Sequence, residues 1–227
     1  MLLWTAMGGS SARRYRDGAR AVAPLAVAVL GFGISFGLLA RSAGMGWLAP
    51  IVMSATTFAG SAQFAAVSIL GAGGTVAAAV AAAVLLNIRY GPIGVSVAPW
   101  LDGPAWWRFL RAQLVVDESW AVAAEGEGRF DPGILVGAGL LLYVSWVAGT
   151  AIGAFGGQAL GDPKTLGLDA AFPALFLSLL LPQLRNRRTI VAAVLGGAIA
   201  LALTPVAAAG VPIIAASAGC LIGLARK

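Results

Sequence analysis

The sequence predicts an all-α, polytopic helical membrane protein with about seven to eight transmembrane segments, in two repeats that contain broken helices. Three observations carry that prediction. The chain is 59% hydrophobic and only 11% charged, with mean hydropathy +0.90, whereas a soluble domain carries about 25% charged residues. That leaves too little polar surface to cover a water-soluble globule. The apolar runs are also far longer than the roughly 10 residues of a barrel strand and do not alternate with period two, which excludes an outer-membrane barrel. Finally, most basic residues stand in short segments beside hydrophobic runs, as the positive-inside rule expects.

The first 20 residues hold Arg13, Arg14, Arg16 and Arg20 and read as a cytoplasmic basic N-terminus (1–20), followed by one transmembrane domain (21–227). The run Ala21–Ala40 lacks a small-residue cleavage site and exceeds a signal-peptide core of about 7–15 residues, so it is expected to stay as the first helix. Leu48–Leu70, Thr75–Leu101, Gly133–Phe155 and Leu166–Leu184 are the next stretches of near-spanning length. The region Thr189–Leu224 is interrupted at Thr204-Pro205 and Gly210-Val211-Pro212, leaving pieces short for a full span.

Between Asp102 and Asp131 the character changes. Pro104-Ala105-Trp106-Trp107-Arg108 reads as an interfacial belt, because tryptophan and arginine settle at headgroup level. Ala112–Ala124 is either a surface-lying amphipathic helix or a buried crossing with its carboxylates turned inward. Counting it as a crossing places Arg185, Arg187 and Arg188 on the same side as the N-terminus, and that count is preferred. Residues 21–125 and 133–224 resemble each other as repeats, each with a small-residue helix followed by a Gly/Pro break. Paired interrupted segments point to a transporter whose site lies at the breaks.

The composition excludes much chemistry. Histidine is absent and Cys220 is the only cysteine, so no His-based triad, His or thiolate metal site, or intrachain disulfide is expected. No glycine-rich loop ending in Lys and Ser/Thr marks a nucleotide site. Neither a metal nor another cofactor is expected, and the basic balance is read as membrane topology rather than nucleic-acid binding. Lys164 lies in a loop, which makes an intramembrane Ser–Lys enzyme a poor reading, so no enzyme is predicted.

Three constellations carry the functional reading. Thr56-Thr57-Phe58-Ala59-Gly60-Ser61-Ala62-Gln63-Phe64 places polar groups and glycine mid-way along a lipid-length stretch, where unpaired polar groups cost several kcal/mol. Either the helix unwinds at Gly60-Ser61 and offers backbone N–H groups to a substrate, with Gln63 adding an amide, or small residues pack closely and the hydroxyls bond back to carbonyls. In Asn87-Ile88-Arg89-Tyr90-Gly91-Pro92, a permanent charge costs roughly 2.5–3.5 kcal/mol at mid-helix depth unless it faces a bundle interior or water. Pro92 breaks any helix running through it. Arg89 either organises an interior site or snorkels from a helix end, and the apolar continuation to Trp100 favours the interior. Asp117 and Glu118 either neutralise Arg89 and carry a proton or form an exposed acidic turn. Asp169 reads as a helix cap.

Phe58-Ala59-Gly60-Ser61-Ala62-Gln63-Phe64-Ala65, Asn87-Ile88-Arg89-Tyr90 after a Leu-Leu pair, and Asp117-Glu118 before an aromatic together resemble the AzlC family of branched-chain amino acid permeases. The resemblance runs from about Arg14 to Leu224. Family members often carry histidine after the arginine, where this chain has Tyr90. The resemblance implies export of branched-chain or similar amino acids across the bacterial inner membrane, beside a small AzlD-type membrane partner. The residues are compatible with a zwitterion site. Phe58, Gly60, Ser61, Gln63, Asn87 and Arg89 are the candidate substrate-binding set, Asp117 and Glu118 the coupling or charge-pairing pair, and Phe64 with aliphatic neighbours completes an apolar pocket. Uptake, export of another small solute, or a membrane scaffold that transports nothing are the alternatives.

Overall fold

The computed structural model describes residues 2–156, 177, 180–181 and 184–220. Its frame is a pair of long helices, α1 (Leu2–Ser42) and α8 (Pro132–Gly156). Both contain apolar spans long enough to cross a membrane, Ala12–Ser42 and Pro132–Gly156. They run parallel, because Gly18 lies on Ile134, Gly33 on Trp146 and Gly37 on Thr150.

Glycine makes that contact possible. A Cβ at Gly33 would stand 2.7 Å from the Trp146 carbonyl oxygen, and one at Gly137, Gly149 or Gly153 would land on the carbonyl of Tyr15, Leu30 or Ile34. Lipid tails are as apolar as leucine, so helix association in a bilayer relies on such close backbone packing rather than on hydrophobic burial. Phe36, stacked on Trp146 at 5.8 Å, fills the space beside the glycine seam.

Between these helices the chain makes two incomplete excursions and one bent crossing. From the far end of α1, α2 (Leu48–Thr57) enters and α3 (Gly60–Gly71) leaves. Ser54 bonds Gln63 across the pair, Met53 packs in the cluster of Ala66 and Ile69, and Gly71 returns to Ala43 at 3.2 Å for an added Cβ. The expected crossing Leu48–Leu70 is therefore a re-entrant hairpin. α4 (Val76–Asn87), started by Thr75 accepting from the Ala78 N–H at 3.1 Å, packs back along α3. It bends by 45° into α5 (Tyr90–Val97), which a 3₁₀ turn extends to Trp100. Val97 and Leu101 then join Phe130 and Leu135, at the end of the molecule where α1 and α8 begin.

A second hairpin enters from that basic end. α6 (Ala105–Ala112) climbs to the Gln113–Val116 tip, and α7 (Asp117–Ala123) descends to the cluster of Phe130 and Leu135. The preferred reading of Ala112–Ala124 as a crossing is corrected here. The stretch is broken at 113–116, and the helical part of 7 residues rises only roughly 10 Å at 1.5 Å per residue. Its carboxylates do turn inward. A β-hairpin that the sequence did not predict, β1 (Ala124–Gly126) and β2 (Arg129–Phe130) joined by a turn with positive φ at Gly126, Glu127 and Gly128, leads to α8. Asp131 caps α8 by accepting from Ile134 N at 2.9 Å and pairs with Arg14 at 3.1 Å.

α9 (Arg187–Leu203) and α10 (Val211–Ala216) form an antiparallel pair, with Gly219 against Ala192 and Gly196 against Ala216. Gly210 abuts Ala78 at the far end, which puts Arg187 toward the basic end. Thus the N-terminal and Arg187-Arg188 clusters share a side without a crossing at Ala112–Ala124, because Leu48–Leu70 turns back. Most of Leu166–Leu184, with Lys164 and Asp169, and Arg226-Lys227 lie outside the described residues.

Two predictions follow the geometry. In a Cys220→Ser background, Ser42→Cys and Ala72→Cys should react with an impermeant thiol reagent from the same membrane face, and Asp102→Cys and Glu125→Cys from the other. Labelling of residues 42 and 72 from opposite faces would make α2–α3 a crossing. Gly153→Val should lower stability by about 1–3 kcal/mol or more, since the Ile34 backbone cannot yield as a side chain does; thermal unfolding in detergent measures it, against Gly31→Val, where an added Cβ meets nothing within 4 Å.

Candidate functional site

The tips of the two hairpins meet at mid-depth, beside the bend between α4 and α5. At the first tip, Phe58 closes α2 in the left-handed conformation, φ 42° and ψ 52°, and Ala59 is non-helical, φ −138° and ψ 80°. A bulky residue with positive φ is unfavourable, and such strain is typically held by its surroundings. Here the Phe58 ring sits edge-on to Tyr143 at 5.2 Å, and the Tyr143 hydroxyl donates to the Ala55 carbonyl at 2.8 Å. From the opposing tip, Gln113 donates to the Thr56 carbonyl at 2.8 Å. Two of the carbonyls that the end of α2 would leave bare, those of Ala55 and Thr56, are thus occupied by protein groups.

Gln63 performs the matching task on the other side of the break. Its Oε1 accepts from the Ala59 N–H at 3.2 Å and from the Trp146 indole at 3.0 Å, and its Nε2 donates to Ser54 at 2.9 Å. Ser54 also shares a hydrogen bond with Thr150 at 2.9 Å. All of these side chains are buried. The network fastens the unwound backbone to α8.

At the bend, Arg89 is the residue preceding α5, and Pro92 falls in that helix's first turn, where its missing N–H would have no intrahelical acceptor. The bend aims the guanidinium inward. Its Nη2 lies 3.0 Å from Asp117 Oδ2, at the start of α7, and 3.3 Å from Ser61 Oγ, in the first turn of α3. One side chain therefore joins three broken elements. Its Nε is buried without a hydrogen-bond partner, as is Asn87 Oδ1. The Asp117 turn is held by Ser119, which accepts from the Val116 N–H at 2.9 Å.

These groups enclose a cavity of about 220 Å³. Arg89, Asp117, Glu118, Ser61 and Gly60 form its polar side. Leu25, Val29 and Phe32 of α1, Leu142 and Trp146 of α8, and Phe58, Tyr90 and Val116 form the rest. The first N–H groups of α3 have no acceptor within the helix and carry the positive end of its dipole. Glu118 makes no ion pair among the described residues. A positively charged corner, an acidic corner and an apolar wall thus meet in one small space.

Of the sequence-selected residues, Phe58, Gly60, Ser61, Arg89, Asp117 and Glu118 line the cavity. Gln63 stands behind it, inside the network. Asn87 faces a separate groove bounded by α2, α3 and α4. Phe64 packs against Phe36 and Trp146 rather than the cavity. Sequence reasoning missed Trp146, Ser54, Thr150, Tyr143 and Gln113. Their signal was there, as polar groups spaced along otherwise lipid-length runs, but nothing local paired them across the fold. No group of metal-ligating residues occurs among the described residues.

Fold and site together define an all-α integral membrane protein with a solute-sized, charged cavity at mid-depth. Residues 24–160 match the family model described as AzlC protein, and the chain belongs to the AzlC family. An uncharacterized membrane protein of Archaeoglobus fulgidus is 34% identical over 92% of this chain and 93% of its own. Inner membrane protein YgaZ of Escherichia coli is 29% identical, over 82% of this chain and 80% of its own. The branched-chain amino acid transport protein AzlC of Bacillus subtilis is 29% identical, over 70% and 64%. No solved structure matches the chain.

Gln63→Ala should leave the Trp146 indole and the Ala59 N–H unpaired inside the protein and cost about 1–3 kcal/mol of stability. A lower melting temperature in detergent checks this. An unchanged melting temperature with lost ligand binding would make Gln63 a ligand contact instead.

Proposed function

We propose that this protein is a secondary active transporter that exports neutral, branched-chain amino acids across the inner membrane together with a small AzlD-type membrane subunit. The observation that carries the proposal is Arg89, held at a helix bend between Ser61 and Asp117 on the wall of a cavity that also presents Glu118 and an apolar face. A cavity of about 220 Å³ lies below the roughly 300–1,000 Å³ of drug-sized sites, which suits a single small amino acid.

Each part of such a zwitterion has a counterpart. The carboxylate is received by the Arg89 guanidinium, whose planar fork suits carboxylates, and by the first N–H groups of α3 near Gly60 and Ser61. The ammonium is received by Glu118, with Asp117 beside it. The aliphatic side chain lies against Leu25, Val29, Phe32 and Leu142. Binding exchanges one carboxylate for another at Arg89, so substrate loosens the Arg89–Asp117 pair that ties α7 to the bend.

Alternating access follows from two hairpins entering from opposite ends. Withdrawal of one tip opens the cavity to one side while the other tip keeps it closed, with the Gln113–Thr56 contact as the shared latch. Arg13, Arg14, Arg16, Arg20, Arg108 and Arg111 support placing the basic end in the cytoplasm. An ion gradient supplies the drive, and the relative from Bacillus subtilis supports the substrate class.

Reconstituted vesicles loaded with labelled leucine, with the partner subunit present, should show protein-dependent efflux. Arg89→Ala should reduce it at least tenfold, and Arg89→Lys should keep part of it, since the charge remains without the planar fork. Absence of any protein-dependent leucine movement would sink the substrate claim. Retention of full rate in Arg89→Ala would sink the site. Movement only toward the basic end would reverse the direction.

A further inference from the structure

Beside the central cavity lies a second space of about 460 Å³ between α5 and α6. One wall is Gly94, Val97, Ala98 and Leu101 of the α5 segment, and the other includes Ala105, Phe109 and Ala112 of α6. Both walls are apolar, yet Arg108 also lines the space. Among the described residues Arg108 donates to the Ala98 carbonyl, at 3.5 Å, and Arg111 donates to the Asp102 carbonyl at 3.1 Å and stacks on Trp107. Neither arginine has a carboxylate partner among the described residues. Trp106, Phe109 and Leu110 of α6 are exposed, Phe109 at the rim of the crevice. An exposed aromatic and aliphatic face with arginines beside it is the composition of a segment seated at the headgroup boundary.

We propose that this crevice is a binding site for an anionic membrane phospholipid, with an acyl chain between α5 and α6 and the phosphate on Arg108 and Arg111. Charge complementarity selects this occupant. An apolar chain alone leaves a guanidinium facing hydrocarbon without a counter-ion, whereas a phosphate supplies acceptors matched to the planar fork. The basic end of the molecule, where anionic headgroups attract juxtamembrane arginine, is where α6 begins. The lipid meets the transport machinery at Tyr90, which lines both this crevice and the central cavity.

The test is native mass spectrometry of the full chain titrated with phosphatidylglycerol and, separately, with phosphatidylcholine of the same acyl chains. The wild-type protein should prefer phosphatidylglycerol at least fivefold. Arg108→Gln with Arg111→Gln should bring that ratio close to one, and the paired Lys variants should keep at least half of it, which separates lost charge from lost fold. Gly94→Leu should weaken binding of both lipids, because an added Cβ there meets no atom within 4 Å and projects into the free space. Equal binding of the two lipids by wild type, a preference that survives the double Gln variant, or unchanged binding by Gly94→Leu would each overturn the site.

Discussion

A peptide group that ends a helix inside a bilayer has no water to bond, and that constraint shapes this protein more than any single contact. The chain stops or bends helices at mid-depth near Phe58, Arg89 and Val116, and each interruption frees N–H or carbonyl groups that cost several kcal/mol if left bare. Side chains both near and far in sequence meet that demand. Tyr143 and Gln113 take the Ala55 and Thr56 carbonyls at the end of α2, Gln63 takes the Ala59 N–H, and Ser119 takes the Val116 N–H. The first turn of α3 faces the cavity instead.

The glycine seam between α1 and α8 makes these distant partners available. Two parallel helices with backbones in contact form a rigid post, and α8 presents Tyr143, Trp146 and Thr150 at spacings of three and four, all toward the re-entrant tip. Replacing close packing by ordinary side-chain spacing would move Trp146 and Thr150 away from Gln63 and Ser54. Precision at the break therefore originates in residues that touch no solute.

Much of this was legible in the sequence, for physical reasons that differ by element. Arg89 next to Gly91-Pro92 announced both an interior charge and a bend, because electrostatic cost and the missing proline N–H are local properties. The polar run from Thr56 to Gln63 left a break at Gly60-Ser61 and close small-residue packing equally open; the chain breaks two residues earlier, at Phe58-Ala59, and Gly60-Ser61 starts α3. The direction of the chain after a break was not legible. Hydropathy is blind to whether two apolar half-helices continue or double back, so Leu48–Leu70 read as a crossing and the arginine clusters then demanded a crossing at Ala112–Ala124. Reversal at Phe58 depends on Tyr143, some 85 positions away by numbering, and no pattern near residue 58 encodes it. Gln63 was singled out as a substrate contact: an amide in a membrane helix signals that something must pair with it, and in the structure its amide bonds Trp146, Ser54 and the Ala59 N–H. The β-hairpin escaped because Gly126-Glu127-Gly128 is a turn signal with very short strands on either side.

The balance of charge in the cavity completes the physical case for coupling. Asp117 is matched by Arg89 at 3.0 Å, which leaves Glu118 as an acid in excess. A zwitterion is neutral and cannot remove that excess; its ammonium engages Glu118 only as its carboxylate draws on Arg89, and Asp117 then loses its partner. In a low-dielectric site an unbalanced carboxylate is costly, so in the proposed exporter a small cation meets the excess while the substrate is absent, and the arriving ammonium displaces it from Glu118. A site with one guanidinium and two carboxylates thus suits exchange, in which cation and substrate occupy the acidic corner in turn and cross in opposite directions. In the proposed transporter, coupling to an ion gradient is then a consequence of electroneutrality at Arg89, with Asp117 and Glu118 exchanging partners as the substrate enters.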